Sequence, residues 1–426
     1  MCHEHDGAKM NAAGTRDTHY DVVIIGAGMV GATLASLLSR SGFDVALVEA
    51  HIPETFDPES DVGLRVSAIS PGSSAILEQA GVWKLINAQR QRPYRRMQVE
   101  DGAELEPLLF DAPSFNLERL GTIVENSLVQ WSAWQVVSAG GLVDMHCPDR
   151  LAEIELASGL NRVLLKSGKS LTADLVVGAD GAASRVRKVM GIRQDFWTYN
   201  QMGLVAVVGK QKPNPGVAWQ RFLAGGPVAF LPLQDGRSSI VWTRPTLEAE
   251  ALLAADTETF IAELEIASSG WLGRVETCGP RAAFPLSMRL SECYVADRVV
   301  LIGDAAHVVH PLAGQGVNLG LADAAALTES LLQVRASGGD IGSAGVLADY
   351  NRWRRSETEM MSYGIHGIRS LFNSEALSPV RRAGLALVKH SWTMKDLFLQ
   401  RAAGLGRNAP KLATGTALKT LMRVRA

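Results

Sequence analysis

Tyr20-Asp21-Val22-Val23-Ile24-Ile25-Gly26-Ala27-Gly28-Met29-Val30-Gly31 decides the fold. Val22 to Ile25 is β-branched and apolar, as a parallel strand covered on both faces must be. A helical stretch, Ala32 to Ser41, follows the glycines, and a second strand, Val45-Ala46-Leu47-Val48, ends in Glu49. In a strand–turn–helix of this kind Gly26 makes the tight turn and Gly28 lets backbone approach a pyrophosphate. Gly31 lets the helix lie on the strand, and an acid about twenty residues on holds a ribose hydroxyl. Glu49 stands at that place. Its charge repels a 2′-phosphate, so the site suits an ADP-ribose group without one. The glycines alone are weak evidence. With both strands, the helix and the terminal acid they predict an α/β fold containing a Rossmann-type domain.

Two further glycine-and-acid stretches follow. Leu175-Val176-Val177-Gly178-Ala179-Asp180-Gly181 reads as a buried strand ending in a tight turn, with Ser184 as a helix cap. Asp180 there is either a cofactor-site residue or purely a turn former. Val299-Val300-Leu301-Ile302-Gly303-Asp304 is another buried strand ending in a small residue and a carboxylate, and His310-Pro311-Leu312-Ala313-Gly314-Gln315-Gly316-Val317-Asn318 leads from it into an apolar stretch at helical spacing, Val317 to Leu332. Gly314 and Gly316 permit close backbone approach to a flat ligand. The helix end behind them offers free N–H groups and partial positive charge, suited to a ring that becomes anionic on reduction.

The run His310 to Asp323, with Gly303-Asp304-Ala305-Ala306-His307 before it, resembles the signature of the ubiquinone-biosynthesis hydroxylases, a branch of the flavin-dependent aromatic monooxygenases. Gly178-Ala179-Asp180-Gly181 to Arg187 resembles the family's middle motif. The resemblance implies FAD as cofactor. The residues it places at that cofactor are Gly26, Gly28, Gly31, Glu49, Arg65, Gln130, Asp180, Gly303, Asp304, Pro311, Gly314, Gly316, Val317 and Asn318. Arg65, heading Arg65-Val66-Ser67-Ala68-Ile69, is implied at the phosphates, where a bidentate cation is apt. Gln130, one helical turn after Asn126, is implied at the flavin's sugar region. The electron donor is a reduced nicotinamide, NADPH or NADH, or another reductant; no second GxGxxG exists to bind it. The co-substrates implied are O2 and a polyprenylated aromatic ring.

The 426 residues are 47% hydrophobic, enough for two or three domains with a sizeable core. A net charge of −2 argues against nucleic acid as a partner. Cys2, Cys147, Cys278 and Cys293 form no CxxC and pair with no nearby histidines, so neither a metal site nor a disulfide framework is expected. Residues 1–18 are polar and read as a disordered tail without a secretory apolar stretch. The cofactor domain is expected to be discontinuous, at 19–90, 121–194 and 291–335. A β-sheet substrate domain is inserted at 91–120 and 195–290, and a C-terminal helical region runs over 345–426.

Short strands are expected at Gly203–Val208, Ala218–Leu223, Val228–Leu233 and Ser239–Thr243, with a hairpin turn at Asp235-Gly236. Trp219, Phe222, Phe230, Trp242 and Phe284 are candidates either for a pocket wall or for ordinary core. Residues 381–426 hold ten Lys and Arg against one acid, Asp396, interleaved with apolar side chains. Such a helix can lie on an anionic membrane or pack on the cofactor domain. A cytoplasmic protein, peripheral on the inner face of the membrane and associating with other ubiquinone-biosynthesis proteins, fits this pattern.

No Ser-His-Asp or Cys-His constellation calls for a nucleophile, and no catalytic side chain is assigned. His307 and His310 border the flavin turn, either as proton-handling groups or as structural ones. Residues 65–69, Gly81-Val82-Trp83 and 229–233 resemble the subgroups acting on polyprenylphenol and on methyl-methoxy-polyprenylbenzoquinol. Ile240-Val241-Trp242 and Gly338–Gly342 favour the phenol. A flavin halogenase does not fit, because Trp131-Ser132-Ala133-Trp134 lacks that class's spacing; a non-catalytic flavin-fold subunit of the pathway assembly is the other reading.

Overall fold

The fingerprint strand Thr18–Ile25 lies at the centre of a parallel sheet, with Val45–Val48 on one side and Ser170–Gly178 on the other. Val143–His146 and Val299–Leu301 extend it outward, also parallel. Val22, Val23, Ile24, Val176 and Val177 are completely buried, which is why these strands carry no polar alternation. This computed structural model describes residues 18–101, 106–157, 159–309, 314–373, 384 and 387–423. Residues 1–17 of the expected tail lie outside that set, and Thr18 is already strand, paired with Leu171. Helices Met29–Arg40, Asn126–Ala139 and Gly316–Ala336 pack together in the same core.

A second sheet stands apart from the first. Its strand order among the described residues is His307–Val308, Val275–Ser291, Gln194–Lys210, Ser238–Pro245, Val228–Pro232, Val217–Phe222, Arg96–Asp101 and Leu108–Asp111. The expected strand at Gly203–Val208 is one part of a 17-residue strand. Its equally long partner, Val275–Ser291, is absent from the sequence reading because Pro280 and Pro285 interrupt its pattern. The ladder accommodates them by shifting register, as between Thr198 and Met202, where Asn200 adopts φ 51°. The Asp235-Gly236 turn joins two of these strands, with Gly236 at φ 84°.

Domain limits drawn on the linear sequence are crossed in two places. His307 and Val308 pair with Leu290 and Arg289 of the second sheet, although they fall inside 291–335. Arg92–Tyr94 joins Gly121–Glu125 and Val66–Ile69 in a small third sheet between the two larger ones in sequence. The aromatic residues also divide. Trp219, Phe230 and Trp242 are core, packed with Phe260 and Leu264 of the helix Thr257–Ser268. Phe222 stacks on Phe372 of the long helix Ala344–Asn373. Of the five pocket candidates only Phe284 is exposed, at 40%.

Candidate cofactor and active site

The first turn explains its glycines individually. At Gly26, φ is 105° and a Cβ would stand 2.5 Å from the Ala179 carbonyl oxygen, so this position must be glycine for the fold itself. At Gly31 a Cβ would meet the Gly26 carbonyl oxygen at 2.0 Å, the close packing of helix on turn. Gly28 differs, because a Cβ there meets no protein atom within 4 Å. No packing reason among the described residues demands a glycine at 28, and the space beside it is open.

A cleft of about 640 Å3 opens in front of this turn, lined by Gly26, Gly28, Glu49, Gln130 and Asp180 among others. Glu49 closes one end. Its Oε2 accepts the Ala27 N–H at 2.6 Å and its Oε1 accepts those of Ala50 and His51 at 2.7 and 3.2 Å. A carboxylate has about four lone-pair sites, so capacity remains for a ribose hydroxyl. Asp180 has both oxygens occupied, by the Ser184 hydroxyl at 2.6 Å and by the Arg185 and Val186 amides at 2.6 and 3.1 Å. Its side chain thus forms the turn and caps the helix at the cleft's edge, and by the same count it keeps, like Glu49, one lone-pair site. Arg150 and Lys166, which sequence reasoning missed, also line this space. They arrive on a hairpin, Leu151–Ala157 and Leu160–Leu165, that carries no local signature.

A second group assembles around the other glycine turn. Gly303, at φ 58°, packs its Cα side on Val30 of the fingerprint helix, and Gly320 packs there too. The two motifs, far apart in sequence, thus share one contact. Gly314 lies against Ala68, at φ 62°. The Asn318 side chain donates to the Ala68 and Gly314 carbonyls, at 2.9 and 3.3 Å, and accepts from the Ser70 amide at 3.0 Å. Its amide group is therefore a staple between the helix start and the Val66–Ile69 strand, not a side chain free for a ligand. Gly316 opens the 21-residue helix, and a Cβ there meets nothing within 4 Å. Val317 is half-buried against the main core. Pro311, with His310, lies outside the described residues.

Arg65, placed by the same strand, is exposed and sits 5.4 Å from the Phe284 ring centre. Asp304 is surface-accessible, and partial desolvation by the surrounding protein pushes its carboxyl pKa up, against the opposing pull of His307 and Arg65. Behind it lies an arrangement the sequence did not reveal. Asp323, fully buried, accepts the Gly303 N–H at 3.0 Å, His307 Nε2 at 2.6 Å and Arg354 Nε at 2.7 Å. Burial alone would raise Asp323, but the His307 and Arg354 charges hold its carboxyl below the usual range. His307 is thereby a structural donor within this network. Among the described residues no group of three or more His, Cys, Asp or Glu is placed to hold a metal.

The donors and spaces fit FAD: two glycines whose Cβ positions are open, an acid at one end of a cleft, and a helix N-terminus at a glycine turn. The site is accordingly that of a flavin-binding fold in which one Rossmann-type domain stands beside a second sheet. Residues 19–361 match the model of the FAD binding domain family. Its relatives include the Escherichia coli 3-demethoxyubiquinol 3-hydroxylase, 36% identical over 90% of this chain and 98% of the relative. Another is the ubiquinone hydroxylase UbiL of Rhodospirillum rubrum, 34% identical with 95% of each chain covered. With these it belongs to the ubiquinone-biosynthesis branch of the flavin hydroxylases. Among solved structures, p-nitrophenol 4-monooxygenase PnpA from Pseudomonas putida shares the fold, with a TM-score of 0.73 over 92% of this chain and 99% of that one at 19% identity.

Proposed function

We propose that the chain hydroxylates the ring of a polyprenylated phenol on the route to ubiquinone, with NADPH or NADH as reductant. The observation carrying this reading is similarity to ubiquinone-pathway hydroxylases over nearly the whole chain, substrate sheet included. Ile240-Val241-Trp242 and Gly338–Gly342 point to the phenol. Trp242 is core and the 338–342 loop is pinned by the Arg298–Asp340 pair, so these residues mark lineage rather than substrate contact. The E. coli relative's activity favours a second reading, a methyl-methoxy-polyprenylbenzoquinol.

Bound FAD supplies the oxygen-activating redox chemistry. Gly28 and Glu49 would hold its pyrophosphate and ribose, Gln130 its sugar region and Arg65 its phosphates. The N–H groups at Gly316 and Val317 would face the ring edge, where they stabilise negative charge. Phe284, lying against Arg65, would keep water from the reacting ring. His307 Nε2 is engaged with Asp323, and we read it as a structural residue behind the flavin turn.

A substrate with an isoprenoid tail must be collected from a bilayer or from a carrier. Leu387, Trp392, Leu397 and Phe398 expose 60, 62, 51 and 44% of their surface among the basic residues of 387–423. We read this basic, apolar-studded segment as the docking region for an anionic membrane. No helix among the described residues is long and apolar enough to cross one.

Complementation decides the ring position. The chain is expressed in E. coli strains each lacking one ring hydroxylase, and quinone precursors are profiled by mass spectrometry. Rescue of the strain that accumulates polyprenylphenol is expected. Rescue only of the demethoxyubiquinol-accumulating strain establishes the second reading, and rescue of neither rejects both.

A further inference from the structure

We propose that Arg354 is a positioning residue for the flavin turn, acting through Asp323, and that its helix fixes this turn relative to the substrate sheet. The inference rests on reading Gly303–Asp304 and Gly314–Gly316 as the flavin edge.

Three observations converge on it. Asp323 Oδ2 accepts the Gly303 amide at 3.0 Å, and that amide begins the turn that carries Asp304. Arg354, 2% exposed, donates its Nε to Asp323 Oδ1 at 2.7 Å and so fixes the carboxylate whose other oxygen takes the Gly303 amide. Its neighbour Arg355, one residue further round the helix, instead pairs with Glu359 of the same helix at 2.8 Å. Adjacent arginines on one helix thus have separate environments, one fully buried on Asp323 and one half-buried on its own helix.

The helix Ala344–Asn373 then runs on for 30 residues, roughly 45 Å at 1.5 Å per residue. Its last turns meet the substrate sheet. Arg369 Nε donates to Gln201 Oε1 at 2.9 Å, its guanidinium lies 4.4 Å over the Tyr199 ring, and Phe372 stacks on Phe222. A single helix therefore reaches the turn through Arg354 and its partner Asp323, and the substrate sheet through His366, Arg369 and Phe372. Displacing the helix withdraws the guanidinium that holds the acceptor of the Gly303 amide. Such a two-ended contact is a physical route for coupling, to be demonstrated by measured non-additivity.

The test uses the FAD-loaded protein and compares Arg354→Lys, Arg355→Lys, Phe372→Leu and the Arg354→Lys/Phe372→Leu pair. Amide exchange over Leu301–Val308 and the visible circular dichroism of bound FAD are read, neither of which needs a substrate. Arg354→Lys should speed exchange there by about tenfold and alter the flavin signal, because local opening free energies set exchange rates. Arg355→Lys should change neither, and the double variant should deviate from additivity. Wild-type exchange and flavin dichroism in folded Arg354→Lys overturn the positioning role, and strict additivity overturns the link to the sheet. If Arg354→Lys does not fold, Asp323→Asn is read the same way; unchanged exchange in that variant overturns the proposal. Should the flavin-edge reading itself be wrong, Gly316→Leu leaves bound FAD spectroscopically unchanged, an outcome independent of Arg354.

Discussion

Position 28 separates the fold from its ligand, and this can be exploited quantitatively. Gly28 precedes the helix Met29–Arg40 with φ −66° and ψ −176°, an extended conformation open to any residue. A Cβ there meets no protein atom within 4 Å. Gly28→Val therefore costs the apoprotein only what a poor N-cap costs, about 1 kcal/mol. In a chain of this size that lowers Tm by a few degrees at most, roughly 2–4 °C. The valine methyls project into the cleft where the pyrophosphate must lie, and FAD affinity should fall at least ~100-fold, about 2.7 kcal/mol. Gly26→Ala is the counterpart. Its φ of 105° and the 2.5 Å approach to the Ala179 oxygen combine left-handed strain with overpacking. Together these cost about 2–6 kcal/mol and attack the fold itself. The assay is flavin-to-protein absorbance after purification, with apoprotein Tm measured with and without added FAD. Wild-type protein should gain Tm on FAD addition and Gly28→Val should not, although its apo Tm stays near wild type. A Gly28→Val protein that purifies with stoichiometric FAD refutes the reasoning, as does one that is unfolded while Gly26→Ala is stable.

Other expectations follow from the same geometry. Gly316→Leu should fold with near-native Tm, since its Cβ position is open, yet perturb the flavin absorbance and slow reduction; an unchanged spectrum and reduction rate exclude the helix start from the flavin edge. Asp304 has its folded pKa raised by partial desolvation, so its ionised form destabilises the folded apoprotein above the unfolded pKa, and this penalty disappears as pH falls below it. Asp304→Asn should thus raise apoprotein Tm at pH 8, with the gain vanishing near pH 4, about the carboxyl's ordinary range, and a pH-independent difference would contradict the assignment. Removing residues from Arg381 onward should reduce co-sedimentation with anionic liposomes at low salt while FAD stays bound; equal binding by full-length and truncated holoproteins at both low and high salt makes the tail merely structural.

The cofactor end of this protein was legible in its sequence because its physics is local. A tight turn, a close backbone approach and a helix start each need particular residues within a few positions of one another. Gly26, Gly28 and Gly31 with Glu49 therefore announce a dinucleotide site before any coordinates exist. Parallel strands buried on both faces announce themselves in the same way, as unbroken apolar runs. The roles of individual polar side chains were not legible. Asn318 looks like a ligand contact within its motif, yet its partners are Ala68 and Ser70, some 250 positions away in the chain. Asp180 carries a family motif, and only the folded structure shows that its oxygens also hold a helix cap.

Tertiary structure alone decided what stands behind the flavin turn. Asp323 meets Gly303, His307 and Arg354 from three separate elements, and nothing in the residues around Arg354 distinguishes it from Arg355. Packing draws one arginine fully inside onto Asp323 and leaves the other half-buried against Glu359, and burial is a property of the packed whole. The same holds for the second sheet. Val275–Ser291 contains two prolines and polar interruptions, and it is a strand because 17 residues of Gln194–Lys210 lie beside it to satisfy its backbone groups through shifts in register. Local chemistry specifies where a dinucleotide can bind; which side chains remain free to touch it depends on the hydrogen bonds that distant segments have already taken.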